Sequence, residues 1–453
     1  MREKKIVDLI IKAKYLITMG SKGEITKGAI AIRNDTIVDV GSEDYILSKY
    51  RGEVVHEYPE HIAIPGLVDC HVHTQQLFLR SSITDYELQL PPIWTKYLIP
   101  FEKMLSRDLA HLSSLVSLMN MVKNGITFFV EAGAPYPEEV VKAAERIGVK
   151  GVVTASTFDV MNGEVYDIKE VLSNTLKLLK LRAKRISIWC SIRQLMMCSE
   201  ELIRRVAELC RKYGIGLTLH LAEYQGEIDY CLSKYGLRPL EYLEKLGLTN
   251  IRPFIAAHAL YLSPNEIDIV RRKSLGICWC PTVDAYLMGY HWLSLYADNV
   301  LFGIGSDGGA FSTLDLLHEA KIAKALGKAF ATSFLYTKSV LNSETILRAL
   351  TGQGGSLINN SIGKIERNYK ADIVIINAKK LQHIPLYNPI EALVNFTEGS
   401  STEAIYINGD RIVNQGVITT INEDEVVEKL YNVLPSLNTI IEELKESIRR
   451  YRI

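Results

Sequence analysis

The sequence predicts an α/β fold: a (β/α)8 barrel with a small β domain drawn from both ends of the chain. Two observations carry this. Through the middle, eight short β-type runs (62–69, 126–131, 151–156, 186–191, 216–220, 254–258, 276–280 and 300–307) each end in a polar cluster and give way to a helical pattern. Strict β/α alternation implies parallel strands joined by helical crossovers, and eight such units suit a barrel of about 250 residues. At both ends the texture changes to short alternating apolar runs separated by polar turns.

In chain order, 6–11, 15–19, 28–33 and 36–40 read as N-terminal strands. The amphipathic stretches 108–123, 137–147, 199–213, 264–272 and 313–328 read as crossover helices. Late strands are expected at 371–377, 404–407 and 411–413, punctuated by Asn408-Gly409 and Gln415-Gly416. The expected organisation is 1–60 plus 365–422 as one composite β unit, 61–364 as the barrel, and 423–453 as one or two charged amphipathic helices. A doubly wound sheet would place a glycine-rich nucleotide turn after an early strand. GIGSDG (303–308) sits at the last strand and only superficially resembles one.

Charge and cysteine usage narrow the function classes. The 453 residues carry 52 basic and 52 acidic side chains, so net charge is zero, which argues against nucleic acid or an anionic membrane as the main partner. No run approaches the ~20 apolar residues of a membrane span, and Asp8, Lys12 and Lys14 break the N-terminal apolar run. The seven cysteines are scattered without zinc-knuckle pairing and read as reduced core thiols of a cytoplasmic protein.

In a barrel, chemistry gathers where strands end at the C-terminal face. The first predicted strand ends in DCHVH with His71 and His73, the fifth in His220 and Glu223 (HLAE), the sixth in His258 and the eighth in Asp307. Residues two apart on a strand face one side, so His71 and His73 can meet one central point. Three imidazoles and a carboxylate suit Zn²⁺ or another first-row ion. Any one of these histidines alone would read as an ordinary core residue; the ordered set is what points to a metal. His56, His61, His111, His291, His318 and His383 are left as ordinary.

Several words resemble the amidohydrolase superfamily, closest to its aminohydrolase and chlorohydrolase branch of adenosylhomocysteine-type, guanine and s-triazine enzymes. They are PGLVDCHVH (65–73), GIT (125–127), HLAE (220–223), HALYLS (258–263), CPT (280–282), GSD (305–307) and, late, IGK (362–364) with KADIV (370–374). The resemblance covers nearly the whole chain. It implies a distorted TIM barrel flanked by a β-sandwich built from both terminal segments. It also implies one divalent ion, zinc with iron or manganese as alternatives, held by His71, His73, His220 and Asp307. The two-metal branches place a lysine after the fourth strand; here that strand ends WCSIR (189–193), which favours one ion. A bound divalent ion lowers the pKa of its water to about 7. Glu223 would move that water's proton to a ring nitrogen, His258 would hydrogen-bond the nucleophile or polarise the leaving group, and Asp307 would accept the second proton. The implied reaction is hydrolytic deamination of a purine-like heterocycle, with ammonia released. The implied partner is a small molecule, and relatives of this branch suggest a homodimer. Two alternatives remain: the same site acting on another carbon–nitrogen or a carbon–chlorine bond, and a non-catalytic metal scaffold.

Substrate contacts are expected from Gln76, three residues after His73, and from a first-loop cap, WTKYLIPFE (94–102), close to guanine deaminase wording and carrying Trp94 and Glu102. Glu102 would hold ribose hydroxyls. Arg193 stands where guanine deaminases carry a base-contacting arginine, and its planar donor fork suits a carbonyl or ring nitrogen. Departures are Asp284 where the branch has an amide, and QLMM (194–197), an unusually apolar loop after strand four. Tyr286, Tyr290 and Trp292 are candidates to stack on a planar ring.

Overall fold

The computed structural model describes residues 3–84, 87, 93–287, 300–334, 341–358 and 361–450. Eight strand positions form the barrel, as two parallel five-stranded sheets. The first strand is Leu67–His73, paired with Ile126–Glu131, and every residue of both is buried. Burial on both faces is why these strands read as continuous apolar runs and not as alternation. Lys150–Val153 follows. Strand four is split into Ile186–Ile188, on one sheet, and Cys190–Ile192, on the other. Leu217–Leu221, Phe254–His258 and Gly276–Trp279 continue the second sheet to Phe302–Ile304, and Asp307–Gly308 returns to pair with Val72 and His73. The two split strands are the barrel's distortions, and the second delivers Asp307 beside the first strand.

The crossover helices carry local start and stop signals. Ser106 Oγ accepts from the Leu109 N–H at 3.3 Å to open Arg107–Lys123, and Ser199 does the same for Glu200–Tyr213. Ser263 and Glu266 form a reciprocal capping box ahead of Pro264–Lys273. The helix expected over 313–328 is displaced to Leu316–Phe334, because Asp315 caps the N–H groups of Leu317 and His318.

Strands from both ends of the chain join in one eight-stranded sheet. It runs, edge to edge, through Val417–Ile418, Asp410–Asn414, Thr402–Ile407, Ile373–Asn377, Tyr50–Pro65, Lys5–Ile17, Glu24–Arg33 and Thr36–Ser42. The runs 6–11 and 15–19 prove to be one strand, since a register shift between Ala13 and Tyr15 interrupts the apolar alternation without ending the pairing. The run 62–69 is two elements. Residues up to Pro65 extend the terminal sheet past the expected boundary at 60, and the barrel strand begins at Leu67. Gly66 joins them where a Cβ would lie 2.0 Å from Thr127 Oγ1, so no larger residue fits the crossing. Lys150 of the barrel donates to buried Asp372 and, at 2.9 Å, to Asn408, tying the sheet to the barrel. Glu423–Arg450 is one helix. It seats Leu437, Leu444 and Ile448 in a cluster with Trp94, Leu98, Ile99 and Phe101. Among the described residues, no helix is long and apolar enough to cross a membrane.

Candidate active site

His71, His73, His220, His258 and Asp307 converge at the C-terminal face of the barrel. His71 and His73 project from one face of the first strand, their rings 5.1 Å apart and edge-on. His73 Nε2 lies 3.1 Å from His220 Nε2, and Asp307 Oδ1 lies 3.7 Å from Nε2 of both His71 and His73. The backbone is bent to achieve this. Ala222, His258 and Asp307 adopt positive φ of 47°, 65° and 57°, a region that β-carbon-bearing residues avoid unless the surroundings impose it. The strand ends are thereby turned inward. Asp69, buried beneath, accepts from the His71 N–H, the Ser306 N–H and Ser306 Oγ at 3.1, 3.1 and 2.6 Å, and so ties strand one to strand eight.

Burial holds the imidazoles of His71, His73 and His220 well below their usual pKa, so they are neutral and have lone pairs to give. Both ring nitrogens of His71, and Nδ1 of His73 and His220, are buried without a hydrogen-bond partner among the described residues. Unpaired buried nitrogens are costly. Nitrogen and oxygen donors converging this closely fit a first-row divalent ion.

Around that donor set stand the expected proton carriers. Glu223 is 6% exposed, and burial raises its carboxyl to about 7. Its Oε1 lies 3.9 Å from His258 Nε2, which is also 3.9 Å from Asp307 Oδ2. His258 Nδ1 is bonded to Asp284 Oδ1 at 2.7 Å. Burial opposes the imidazolium charge, but Asp284, Glu223 and Asp307 outweigh it and lift His258 to about 10.

The substrate-side expectations are placed more unevenly. Gln76, Trp94 and Arg193 line a cleft with His73, Gln194, His220, Glu223 and Asp307. Glu102 stands behind it, engaged by Gln76 Nε2 at 2.7 Å and by both terminal nitrogens of Arg193 at 3.1 and 3.3 Å. Residues expected to contact substrate separately thus form one buried network. Tyr286 is 64% exposed and away from the stacking role expected of it, while Tyr290 and Trp292 lie outside the described residues. The apolar loop after strand four is explained by packing: Met196 and Met197 join the cluster beneath the cap.

Three residues have contacts in the site that the sequence did not assign to them. Gln194 Nε2 donates to Glu223 Oε2. Asp284 was visible as a departure, but only the fold shows that it backs His258 and accepts from the Cys280 N–H at 3.2 Å. Cys280, taken as a plain core thiol, comes within 4.8 Å of donor atoms of His71 and Asp307. His258 likewise groups with His71 and His220 within that distance.

The sequence profile of the amidohydrolase family matches residues 62–412. The chain belongs to the amidohydrolase family. A curated relative from Caldicellulosiruptor saccharolyticus, named 5-methylthioadenosine/S-adenosylhomocysteine deaminase, is 29% identical over 445 residues, covering 96% of this chain and all of the relative. A zinc-bound adenosine deaminase from Xanthomonas campestris superposes with a TM-score of 0.86 at 23% identity, over 99% of this chain and 100% of that one. Guanine deaminase from C. acetobutylicum, with guanine bound, gives 0.81 at 22% identity, over 89% and 99%. These neighbours share the amidohydrolase barrel expected from the sequence. Family and relatives together make the chain a hydrolase of carbon–nitrogen bonds.

Proposed function

We propose that this chain is a mononuclear, metal-dependent aminohydrolase that deaminates a purine-like heterocycle and releases ammonia. The observation that carries the reading is Glu223: a buried carboxyl, raised to about 7, beside His258 and the convergent donor set. His71, His73, His220 and Asp307 would hold the ion, and zinc is the reading supported by the zinc-bound Xanthomonas relative. When bound, the ion supplies Lewis acidity that brings a water's pKa down to about 7.

The remaining steps belong to side chains. A carboxyl with a pKa near 7 both takes and gives a proton at neutral pH, so Glu223 moves one to the ring nitrogen next to the reacting carbon. That carbon becomes the electrophile. His258, with Nδ1 bonded to Asp284, presents Nε2 to the reacting atoms and steadies developing negative charge. Asp307 takes the second proton, from the hydroxyl that water addition leaves on the reacting carbon, and passes it to the departing amino group, which leaves as ammonia. Arg193 and Gln76 form the cleft wall that reads the ring edge, with Glu102 orienting both.

The names of the relatives favour an adenosine-type ring, as in methylthioadenosine or adenosylhomocysteine. The buried guanidinium of Arg193 in the cleft wall favours a second reading, an oxo-purine edge of the guanine type. Seven buried free thiols support a reducing, cytoplasmic setting. The test is ammonia release from zinc-loaded protein on methylthioadenosine, adenosylhomocysteine, adenosine, guanine, 8-oxoguanine and isocytosine. Stoichiometric ammonia from at least one purine is expected. Silence across the panel from protein holding one ion per chain would sink the reading.

A further inference from the structure

Gln194 lines the cleft, is 2% exposed, and has a side-chain carbonyl oxygen without a partner among the described residues. Its orientation is dictated by its neighbour. With Glu223 ionised its oxygens only accept, so in that form the amide NH₂ faces Glu223 and the carbonyl oxygen is left over. A buried acceptor without a partner is costly, and it is retained where a ligand satisfies it. Glu223 in turn depends on this contact. Its backbone N–H is held by Glu227 at 3.2 Å, but that fixes only the main chain. The terminal torsion of a glutamate is broad, and Gln194 Nε2 holds one carboxylate oxygen while the other lies 3.9 Å from His258 Nε2.

We propose that Gln194 is both a positioning residue for Glu223 and a specificity-determining residue for the substrate. Its Nε2 fixes Glu223 Oε2, so that Oε1 remains turned to the reacting atoms. Its Oε1 accepts an N–H from the amino group next to the ring nitrogen that Glu223 protonates. The ligand chemistry is therefore an amidine, a ring nitrogen that takes a proton flanked by an N–H that donates one hydrogen bond. A chloro- or alkoxy-substituted ring offers Glu223 the same nitrogen but gives Gln194 nothing. The inference rests on the aminohydrolase reading and adds the residue that selects an amine as leaving group.

Gln194→Met keeps the length and shape of the side chain and removes both polar arms. Its metal content and Tm should match the parent. On a matched pair, an aminopurine nucleoside and its chloro analogue, ammonia and chloride release are followed separately. Loss of positioning should lower kcat about 10²-fold on both, the scale of a ~1 Å misplacement of a reacting group. The amino substrate should lose a further factor of about ten in kcat/KM, the value of one hydrogen bond. Gln194→Glu, which restores a bond to Glu223 when one proton is shared, should recover activity only toward acid pH. A Met variant with parental kcat would overturn the positioning role. Equal losses on both substrates would overturn the substrate contact. A parent protein that releases neither ammonia nor chloride would defeat the hydrolase reading itself, and the assignment with it.

Discussion

Glu223 and His220 sit three residues apart yet answer different questions, and substitution separates them. Glu223→Gln preserves shape and hydrogen bonding while removing the proton, so it should keep its metal and lose about 10²-fold or more in turnover. His220→Ala removes a donor that lies 3.1 Å from His73 Nε2, and should instead come out of purification depleted of metal. Elemental analysis beside the ammonia assay checks both, and an active Gln variant or a fully loaded Ala variant would reverse the roles. The convergence of these side chains was legible in the sequence because it needs only residue type and strand position: two histidines at spacing two, then His220, His258 and Asp307 at the fifth, sixth and eighth strand ends. Asp284, Gln194 and Cys280 were not, because their roles are relations between elements. Asp284 reaches His258 across 26 positions and Gln194 reaches Glu223 across 29. No local spacing encodes such contacts.

At the scale of elements, the eight barrel strands were legible from apolar runs ending in polar residues, and two, Ile126–Glu131 and Phe254–His258, have the expected limits. Errors fell where one chain segment serves two sheets, as at Gly66, or where a bulge breaks alternation, as at Ala13. The C-terminal helix shows what element packing adds to the site. Leu437, Leu444 and Ile448 recur at helical spacing and share a buried cluster with Trp94 and Leu98, which line the cleft. The charged face seen in the sequence is thus the outer side of a brace behind the cap. Deleting residues 423–453 would uncover the back of that cap. We expect KM to rise several-fold with kcat less affected, and Tm to fall. A truncated protein with parental KM would show that the cap holds itself.

Across the whole molecule, the buried carboxyls set a direction for stability against pH. Burial raises Glu131, Glu227 and Glu319 each to about 8. In an unfolded chain a glutamate titrates near 4.3. Between those values the folded state binds more protons than the unfolded one, so each group's contribution falls as pH rises. It is fully present below about pH 4.3 and is lost through the folded value near 8. Acidic groups held by cations act in the opposite sense, as at Glu139, where Lys142 and Arg107 outweigh burial and lower the pKa. The net curve therefore mixes both, and a difference measurement isolates one. Glu319 accepts from the Thr282 N–H at 2.9 Å and from Ser312 Oγ at 3.4 Å. Glu319→Gln keeps the acceptor for Thr282 and cannot ionise. Its Tm relative to the parent should climb steadily from pH 5 to pH 8, with the parent losing ground as its buried acid is forced to ionise. Parallel melting curves over that range would mean that Glu319 ionises in the fold at its unfolded pKa, and that the anion is as well accommodated there as in water.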